Sequence, residues 1–299
     1  MKQIILAAAA VLMCAACSNE SDETVANTQV EQNLTAPVMV HVDGFQTTQE
    51  EFPGAPRRAA QTVASYNNVG AMTLAFYSGS TEVYKTTQIK SDNSTYTTFG
   101  DFSLSLPLGS YTMVVLAYGY FDGDVLNLTS PTSAVYDSDH VRETLVATQA
   151  VNVTNTNAME LSATLTRVVS ELQIQSTDGR TANVTNLRMT FSKGGKSFDP
   201  TTGLATSNEG FSNTVGTTTP VGNITRSMGF LFLDSDEQTM DVTIELLNAQ
   251  GTAITQKVVT DVPFKRNRIT KLTGPLYSAS SSSSFLLETD WIETYEKNF

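Results

Sequence analysis

Apolar and polar residues alternate in short runs from residue 36 to the C-terminal part of the chain. The runs are rich in Val, Thr, Leu, Ile and Tyr, and Gly, Asn, Asp or Ser interrupts them every ~8–12 residues. Because successive side chains of a strand face opposite sides of a sheet, this alternation indicates strands with one buried face. The predicted strands are 38–42, 72–77, 83–89, 102–106, 111–118, 146–153, 159–165, 168–175, 184–191, 228–233, 240–247, 253–259, 268–272 and 285–291.

Helical periodicity is not sustained over any window of the sequence, so the chain is predicted to be all-β. Any helix should be small, and residues 138–144 are the place where we expect one. Between two alternating runs, residues 248–251 read Asn-Ala-Gln-Gly, which predicts a hairpin turn.

A polar segment near the middle of the chain divides the strand pattern. Residues 154–157 read Thr-Asn-Thr-Asn, and the alternation restarts after them. A chain of 299 residues is near the size at which one core splits into two. We therefore predict two tandem antiparallel β-sandwich domains, 36–158 and 159–299, in which paired sheets bury one face of every strand.

The first 16 residues have the composition of a signal peptide. Lys2 precedes an apolar run that is too short to span a bilayer. Ala15 and Ala16 then precede Cys17, an arrangement that resembles the lipobox of bacterial lipoproteins. We predict removal of residues 1–16 and acylation of Cys17; the alternative is a cleaved signal without a lipid.

Residues 17–35 are predicted to form a lipidated, solvated tether, because they are polar and show no apolar period. Residues 18–23, Ser-Asn-Glu-Ser-Asp-Glu, are acidic and resemble the surface-export signal of Bacteroidetes lipoproteins. An ordinary charged linker is the alternative interpretation.

Charge and residue counts narrow the classes of function. Lys and Arg number 18 against 30 Asp and Glu, a formal net charge of -12, which argues against a nucleic acid partner because phosphate binding depends on cationic side chains. Cys14 and Cys17 are the only cysteines, and His41 and His140 are the only histidines. The body therefore has no cysteine to act as nucleophile or metal ligand, and histidine, the usual general base and metal ligand, is nearly absent, so we expect no enzyme, no cofactor and no metal site.

Two groups of side chains have both a structural and a functional interpretation. The acidic pairs at 122–124 and 234–237 are predicted to be turn residues, with a calcium site as the alternative for the second group. The aromatic residues of 111–121 are predicted to pack in the core, with a sugar-stacking platform as the alternative.

Four features together resemble the fimbrillin family of type V pili in Bacteroidia. They are the Cys17 signal, the strand-rich body, the Arg57-Arg58 pair and the terminal Phe-x-Leu-x-Thr-x-Trp pattern of 285–291. Local similarities lie at 106–114 and 165–172. The resemblance implies two transthyretin-like β-sandwiches, export as a lipoprotein, and cleavage by an Arg-specific protease that removes the lipidated N-terminal strand. It also implies assembly in which a strand of one subunit fills the groove vacated in another.

The segment around Arg58 suits such cleavage. Pro53 and Pro56 remove backbone donors, so the loop that contains Arg57, Arg58 and Ala59 should be open to a protease. Cleavage before Ala59 would release residues 36–58, which include the alternating strand 38–42, and would leave a groove with unpaired backbone groups. The alternative is that both arginines are surface residues of an exposed loop and are not a cleavage site.

The C-terminal tail is the candidate donor strand. Alternation places Phe285, Leu287, Thr289 and Trp291 on one face, and the serine-rich spacer 280–284 precedes them. The alternative is that this strand closes the second sandwich of its own chain.

The leading functional prediction is a structural subunit of a cell-surface fimbria, without catalysis, whose partners are other fimbrial subunits. The precursor would be held at the outer membrane by its lipid until processing. The sequence does not predict an adhesion ligand. The alternatives are a pilus anchor that keeps its lipid and a glycan-binding surface lipoprotein. Cleavage at Arg58 separates these functions, since neither alternative gains from losing the anchored segment.

Overall fold

Strands account for nearly all regular structure in the described part of the chain. The computed structural model describes residues 34–46, 62–121, 124–217, 225–278 and 286–289. Its strands are β1 (Thr35–Gln46), β2 (Ala71–Ser78), β3 (Thr81–Ile89), β4 (Asp101–Pro107), β5 (Gly109–Tyr118), β6 (Leu126–Ser130), β7 (Ser133–Tyr136), β8 (Thr144–Val153), β9 (Met159–Arg167), β10 (Ser170–Ser176), β11 (Asn186–Phe191), β12 (Ser197–Asp199), β13 (Leu204–Ala205), β14 (Phe211–Gly216), β15 (Thr225–Leu231), β16 (Glu237–Leu247), β17 (Ala253–Lys265), β18 (Ile269–Gly274) and β19 (Leu286–Thr289). Single 3-10 turns lie at Val63–Ser65 and Asn93–Thr95.

Seven strands of the first part of the chain form one sheet in the order β3-β2-β5-β8-β9-β1-β4. β8 and β9 pair over only two residue pairs, so the sheet bends there and its two parts enclose a common core. The two edge strands of this sheet, β3 and β4, are connected through the side chain of Gln88 on β3. Its buried side chain donates to the Asp101 carbonyl at 2.7 Å and accepts from the Gly100 amide at 2.8 Å.

The second part of the chain is a β-sandwich. One sheet has the order β15-β10-β18-β19 and the other the order β14-β11-β16-β17. Alternate residues of both sheets, such as Ile174 and Leu272 on one and Met189 and Ile244 on the other, form a second buried cluster. β16 and β17 are consecutive and antiparallel, which confirms the hairpin predicted at 248–251.

A third apolar cluster joins the two parts. It contains the outward face of β2 and β5 and the small sheet β13-β12-β7-β6. Phe232 stacks on Phe198 with ring centroids 4.4 Å apart and on Tyr136 at 6.4 Å. The described residues from Leu34 onward belong to one compact unit. Because β9 pairs with β1 and β8, the first sheet extends to Arg167, beyond the predicted boundary near residue 158.

The all-β prediction is confirmed, and most predicted strands have a counterpart. Five short strands were not predicted, β6, β7 and β12 to β14, because a run of two to six residues shows too little alternation to stand out. Two pairings are parallel, β1 with β9 and β10 with β18, which corrects the purely antiparallel expectation. Alternation reports which face of a strand is buried and carries no information on its direction.

The predicted helix at 138–144 is wrong. Residues 138–143 form a loop and Thr144 begins β8; in the loop the Ser138 hydroxyl accepts a hydrogen bond from the His140 amide at 3.1 Å, a local bond that competes with helix formation. In the described ranges, no helix has the length and apolar character needed to cross a membrane.

Candidate strand-exchange site

β1 lies inside the first sheet, with a partner strand on each side. On one side it runs parallel to β9, from Val38 opposite Met159 to Gln46 opposite Thr166. On the other side it runs antiparallel to β4, over Thr35–His41. Without β1, both neighbours would present unpaired backbone donors and acceptors to a shared groove.

The inward face of β1 is apolar and buried. Ala36, Val38, Val40, Val42 and Phe45 are between 0% and 6% exposed and belong to the core of the first sheet. Burial of a side chain the size of Val or Phe stabilises the fold by about 1.5–3 kcal/mol. β1 therefore supplies a continuous row of the core, and its removal would open an apolar groove.

The outward face of β1 is joined to β4 by a side-chain hydrogen bond. His41 lies directly opposite Asp101, and its Nδ1 is 2.9 Å from the Asp101 Oδ1. Both side chains are partly exposed, at 38% and 40%, so the pair fixes register with a small contribution to stability.

A bulge near the end of β1 keeps Phe45 on the buried face. The register with β9 shifts between Val42 and Gly44, so Val42 and Phe45 both point inward although three positions separate them. Gly100 accommodates this bend: its φ is +100°, and a Cβ there would lie 3.1 Å from the Val42 carbonyl oxygen.

Phe45 covers a buried ion pair. Its ring lies 4.8 Å from the ring of Tyr66 and 5.6 Å from the Arg167 guanidinium, centroid to centre. The Arg167 Nη2 is 2.5 Å from the Glu143 Oε1, and the two side chains are 4% and 3% exposed. The end of β1 therefore packs directly on charged groups that are almost completely buried.

Neighbouring side chains complete this network. Tyr66 donates its hydroxyl to Glu143 at 2.7 Å, and burial together with the Glu143 charge raises the pKa of Tyr66 to about 12. Asn68 donates to the other Glu143 oxygen at 2.8 Å. Arg167 donates from Nη1 to the Asn267 side chain at 2.9 Å, which connects the first sheet to the loop before β18.

Sequence reasoning did not identify this network. A signal was present, because Arg167 follows Ala163 and Leu165 at alternate positions and thus lies on the buried face of β9. An arginine in such a row is expected to have a buried acidic partner. Glu143 lies in a loop, where no periodicity marks it.

Most of the predicted site residues lie outside the described part of the chain. These are Cys17, Arg57, Arg58, Ala59, Phe285 and Trp291. Lipidation and cleavage therefore stay predictions. Leu287 and Thr289 lie in β19, whose backbone pairs with β18 of the same chain from Thr270 opposite Thr289 to Thr273 opposite Leu286. The donor role of this strand stays a prediction as well.

The acidic residues at 234–237 have protein partners. Asp236 pairs with Arg266 at 2.6 Å and Glu237 with Lys265 at 2.5 Å, while Asp234 accepts from its neighbour Ser235 at 3.0 Å. Among the residues that the structure describes, no group of three or more His, Cys, Asp and Glu side chains is arranged to hold a metal ion.

Comparison with known proteins gives a family and a fold. A family model described as a family of unknown function, DUF6562, matches residues 45–297. No curated protein matches the chain. A candidate adhesin from Bacteroides ovatus is similar in structure with a TM-score of 0.50 and 9% identity, over 88% of this chain and 97% of that one.

Two fimbrial proteins of Porphyromonas gingivalis are similar with lower scores. The fimbrial anchor protein Mfa2 has a TM-score of 0.49 and 12% identity, over 85% of this chain and 97% of that one. The tip fimbrial protein Mfa3, solved with a C-terminal truncation, has a TM-score of 0.41 and 10% identity, over 86% and 100%. At 9% identity, the likeness to the candidate adhesin shows the fold alone.

Proposed function

The chain belongs to the family of unknown function DUF6562, and from that premise we propose that it is a structural, non-catalytic subunit of a cell-surface fimbria that polymerises by strand exchange. In this proposal a protease removes β1, and a strand of another subunit takes its place between β4 and β9. The shared fold of the candidate adhesin from Bacteroides ovatus agrees with a role at the cell surface.

The position of β1 carries the proposal. It is an internal strand of the sheet that lies close to the N-terminal end of the described chain, so one cut after it can free it from the body. The vacated groove would present the free edges of β4 and β9 and an apolar floor. An added strand would restore the backbone hydrogen bonds, and its alternate side chains would restore the core.

The connection between β1 and the rest of the body contains the proposed cleavage site. β1 ends at Gln46, and the described chain resumes at Thr62, so Arg57, Arg58 and Ala59 lie between them. Cleavage of the Arg58–Ala59 bond leaves β1 attached only to the lipidated tether from Cys17. Strand exchange would then release the subunit from the outer membrane into the fibre.

The test is a pair of double variants of the processing site. Arg57→Ala with Arg58→Ala should accumulate as an uncut, lipid-anchored precursor that forms no filaments. Arg57→Lys with Arg58→Lys keeps both charges and removes only the residue type that an Arg-specific protease needs, so it should behave in the same way.

Filaments of normal length from either double variant would contradict the processing model. In that case β1 stays in its sheet, and a permanently anchored lipoprotein becomes the better description. N-terminal sequencing of subunits from wild-type filaments gives the positive result directly, since the proposal requires Ala59 as their first residue.

A further inference from the structure

A cleft of about 510 Å³ lies where the loops of the first sheet face the β15-β10-β18 surface of the second sandwich. The loop before β2 contributes Tyr66 and Asn68, and the loop after β5 contributes Tyr120 and Phe121. Its volume is in the range of small-molecule sites. The cleft adjoins the β1 groove, since Tyr66 packs on Phe45 and also lines the cleft, but ligand binding in it does not require strand exchange.

One wall of the cleft is a cluster of hydrogen-bonding groups on adjacent strands. Glu171 and Gln173 are two positions apart on β10 and both line the cleft, while Leu172 between them packs in the core. Gln173 lies opposite Ser227 of β15, and its amide donates to the Glu171 Oε1 at 3.1 Å. The wall therefore offers a carboxylate, an amide and a hydroxyl side by side.

Glu171 is buried at this wall, and among the described residues no Lys or Arg side chain forms an ion pair with it. Glu171 is only 7% exposed. Burial raises the pKa of this carboxyl, and a hydrogen bond from Ser227 offsets part of the rise. The nearby Arg167 charge is already engaged by Glu143. A ligand that donates hydrogen bonds to the carboxylate would relieve the cost of its burial.

The mouth of the cleft carries an exposed aromatic ring. Phe121 is 59% exposed, which is unusual for a Phe, and the Arg142 guanidinium lies 4.4 Å from its ring centroid. Arg142 is fixed in turn, because its Nε donates to Asp124 at 2.8 Å. The core prediction thus fails for Phe121, whereas Tyr111 and Tyr118 are buried. An exposed aromatic face at a polar cleft can pack on the C–H face of a sugar ring.

We infer that this cleft binds one or two rings of a neutral or amino saccharide. The vicinal hydroxyls of a sugar match adjacent acceptors and donors such as Glu171 and Gln173, and its apolar face matches Phe121. Among the charged lining residues, Glu143 is paired with Arg167 and Arg142 with Asp124, so Glu171 is the one lining charge without an ion-pair partner among the described residues. Anionic ligands such as uronic acids, sialic acids or phosphates are therefore disfavoured.

Saturation-transfer NMR on the unlipidated Cys17→Ala chain tests the inference. The probes are methyl glycosides of N-acetylglucosamine, galactose and mannose, glucosamine as the amino sugar, and glucuronic acid and N-acetylneuraminic acid as anionic sugars. At least one neutral or amino sugar should give saturable signals with millimolar affinity, and both anionic sugars should give none. A glycan array with the same protein extends the neutral set to oligosaccharides.

Two variants locate the binding. Phe121→Ala changes an exposed side chain, so it should leave the melting temperature unchanged and weaken saccharide binding at least fivefold. Glu171→Gln keeps the shape of the side chain, and it should weaken the amino sugar more than the neutral ones. Val258→Ala is the matched control, since Val258 is 54% exposed on β17 and away from the cleft; its binding should equal that of the parent.

Three results would overturn the inference: no signal from any neutral or amino saccharide in solution and on the array, equal binding by Phe121→Ala and the parent, or preference for the anionic sugars. Lysine amide is added as a probe of a cationic peptide side chain. Binding of lysine amide without binding of any saccharide would assign the cleft to a protein partner and contradict the saccharide.

Discussion

The Asp178 carboxylate holds the Tyr277 backbone amide through both of its oxygens, at 3.1 and 3.0 Å. The amides of Leu276 and Ser278 also donate to it, at 2.8 and 2.7 Å. The chain that follows β18 is thereby fixed at the last described residue before the serine-rich spacer.

We predict that Asp178→Asn destabilises the protein by about 1–3 kcal/mol at neutral pH, because an amide cannot accept all of these hydrogen bonds. Although burial acts to raise it, the bonds from Ser176 and the three amides lower the pKa of Asp178 on balance. A lowered folded-state pKa gives stability that is present above about pH 4 and lost as the pH falls through the folded pKa.

Urea unfolding of parent and variant at several pH values between 7 and 3 checks this. The difference between them should shrink toward the acid end. Asp139→Asn is the control, since Asp139 is 68% exposed and its replacement should change stability by less than about 1 kcal/mol. A difference that grows on acidification would contradict the assigned role of Asp178.

The inward face of β1 should be essential for the stability of the precursor. Phe45→Ala removes a fully buried ring that contacts Tyr66 and Arg167, and we expect a loss of about 3–5 kcal/mol. Thr35→Ala changes an exposed residue of the same strand and should cost less than about 0.5 kcal/mol. Equal melting temperatures for both variants would show that β1 does not complete the core.

The buried Arg167–Glu143 pair should show strong energetic coupling. Arg167→Met leaves the Glu143 charge buried, with a cost of about 3–5 kcal/mol, and adding Glu143→Leu should restore part of the loss. A double-mutant cycle measures the coupling. The same cycle on Lys265 and Glu237, which are 50% and 66% exposed, should give at most about 1 kcal/mol. Similar coupling in both pairs would contradict the importance of burial.

Truncation after Ser284 tests the donor role of the tail. We expect loss of polymerisation with a cooperative monomer that melts within a few degrees of the parent, because β19 is a four-residue edge strand. Truncation after Lys297 removes two residues beyond the proposed donor positions and serves as the control. A large drop in the melting temperature of the monomer would instead assign the strand to its own sandwich.

Lipidation is predicted at Cys17. Cys17→Ala should abolish palmitate labelling and release the precursor from membranes, whereas Cys14→Ala should keep the label, because residues 1–16 are removed. Continued labelling of Cys17→Ala would refute the assignment.

The amino-acid sequence alone predicts the fold class, most strands and the hairpin at 248–251, because alternation and turn residues are local properties of the chain. It also predicts the inward face of β1, since Val38, Val40 and Val42 show the alternation directly.

Tertiary packing sets which strands lie beside β1, the parallel direction of β9, and the contacts of Arg167 with both Glu143 and Asn267. Arg167 and Asn267 are 100 positions apart. Period-two alternation assigns a residue to a face and leaves its partner open. The partner is selected by the joint packing of all strands around the core, which distant parts of the chain determine together.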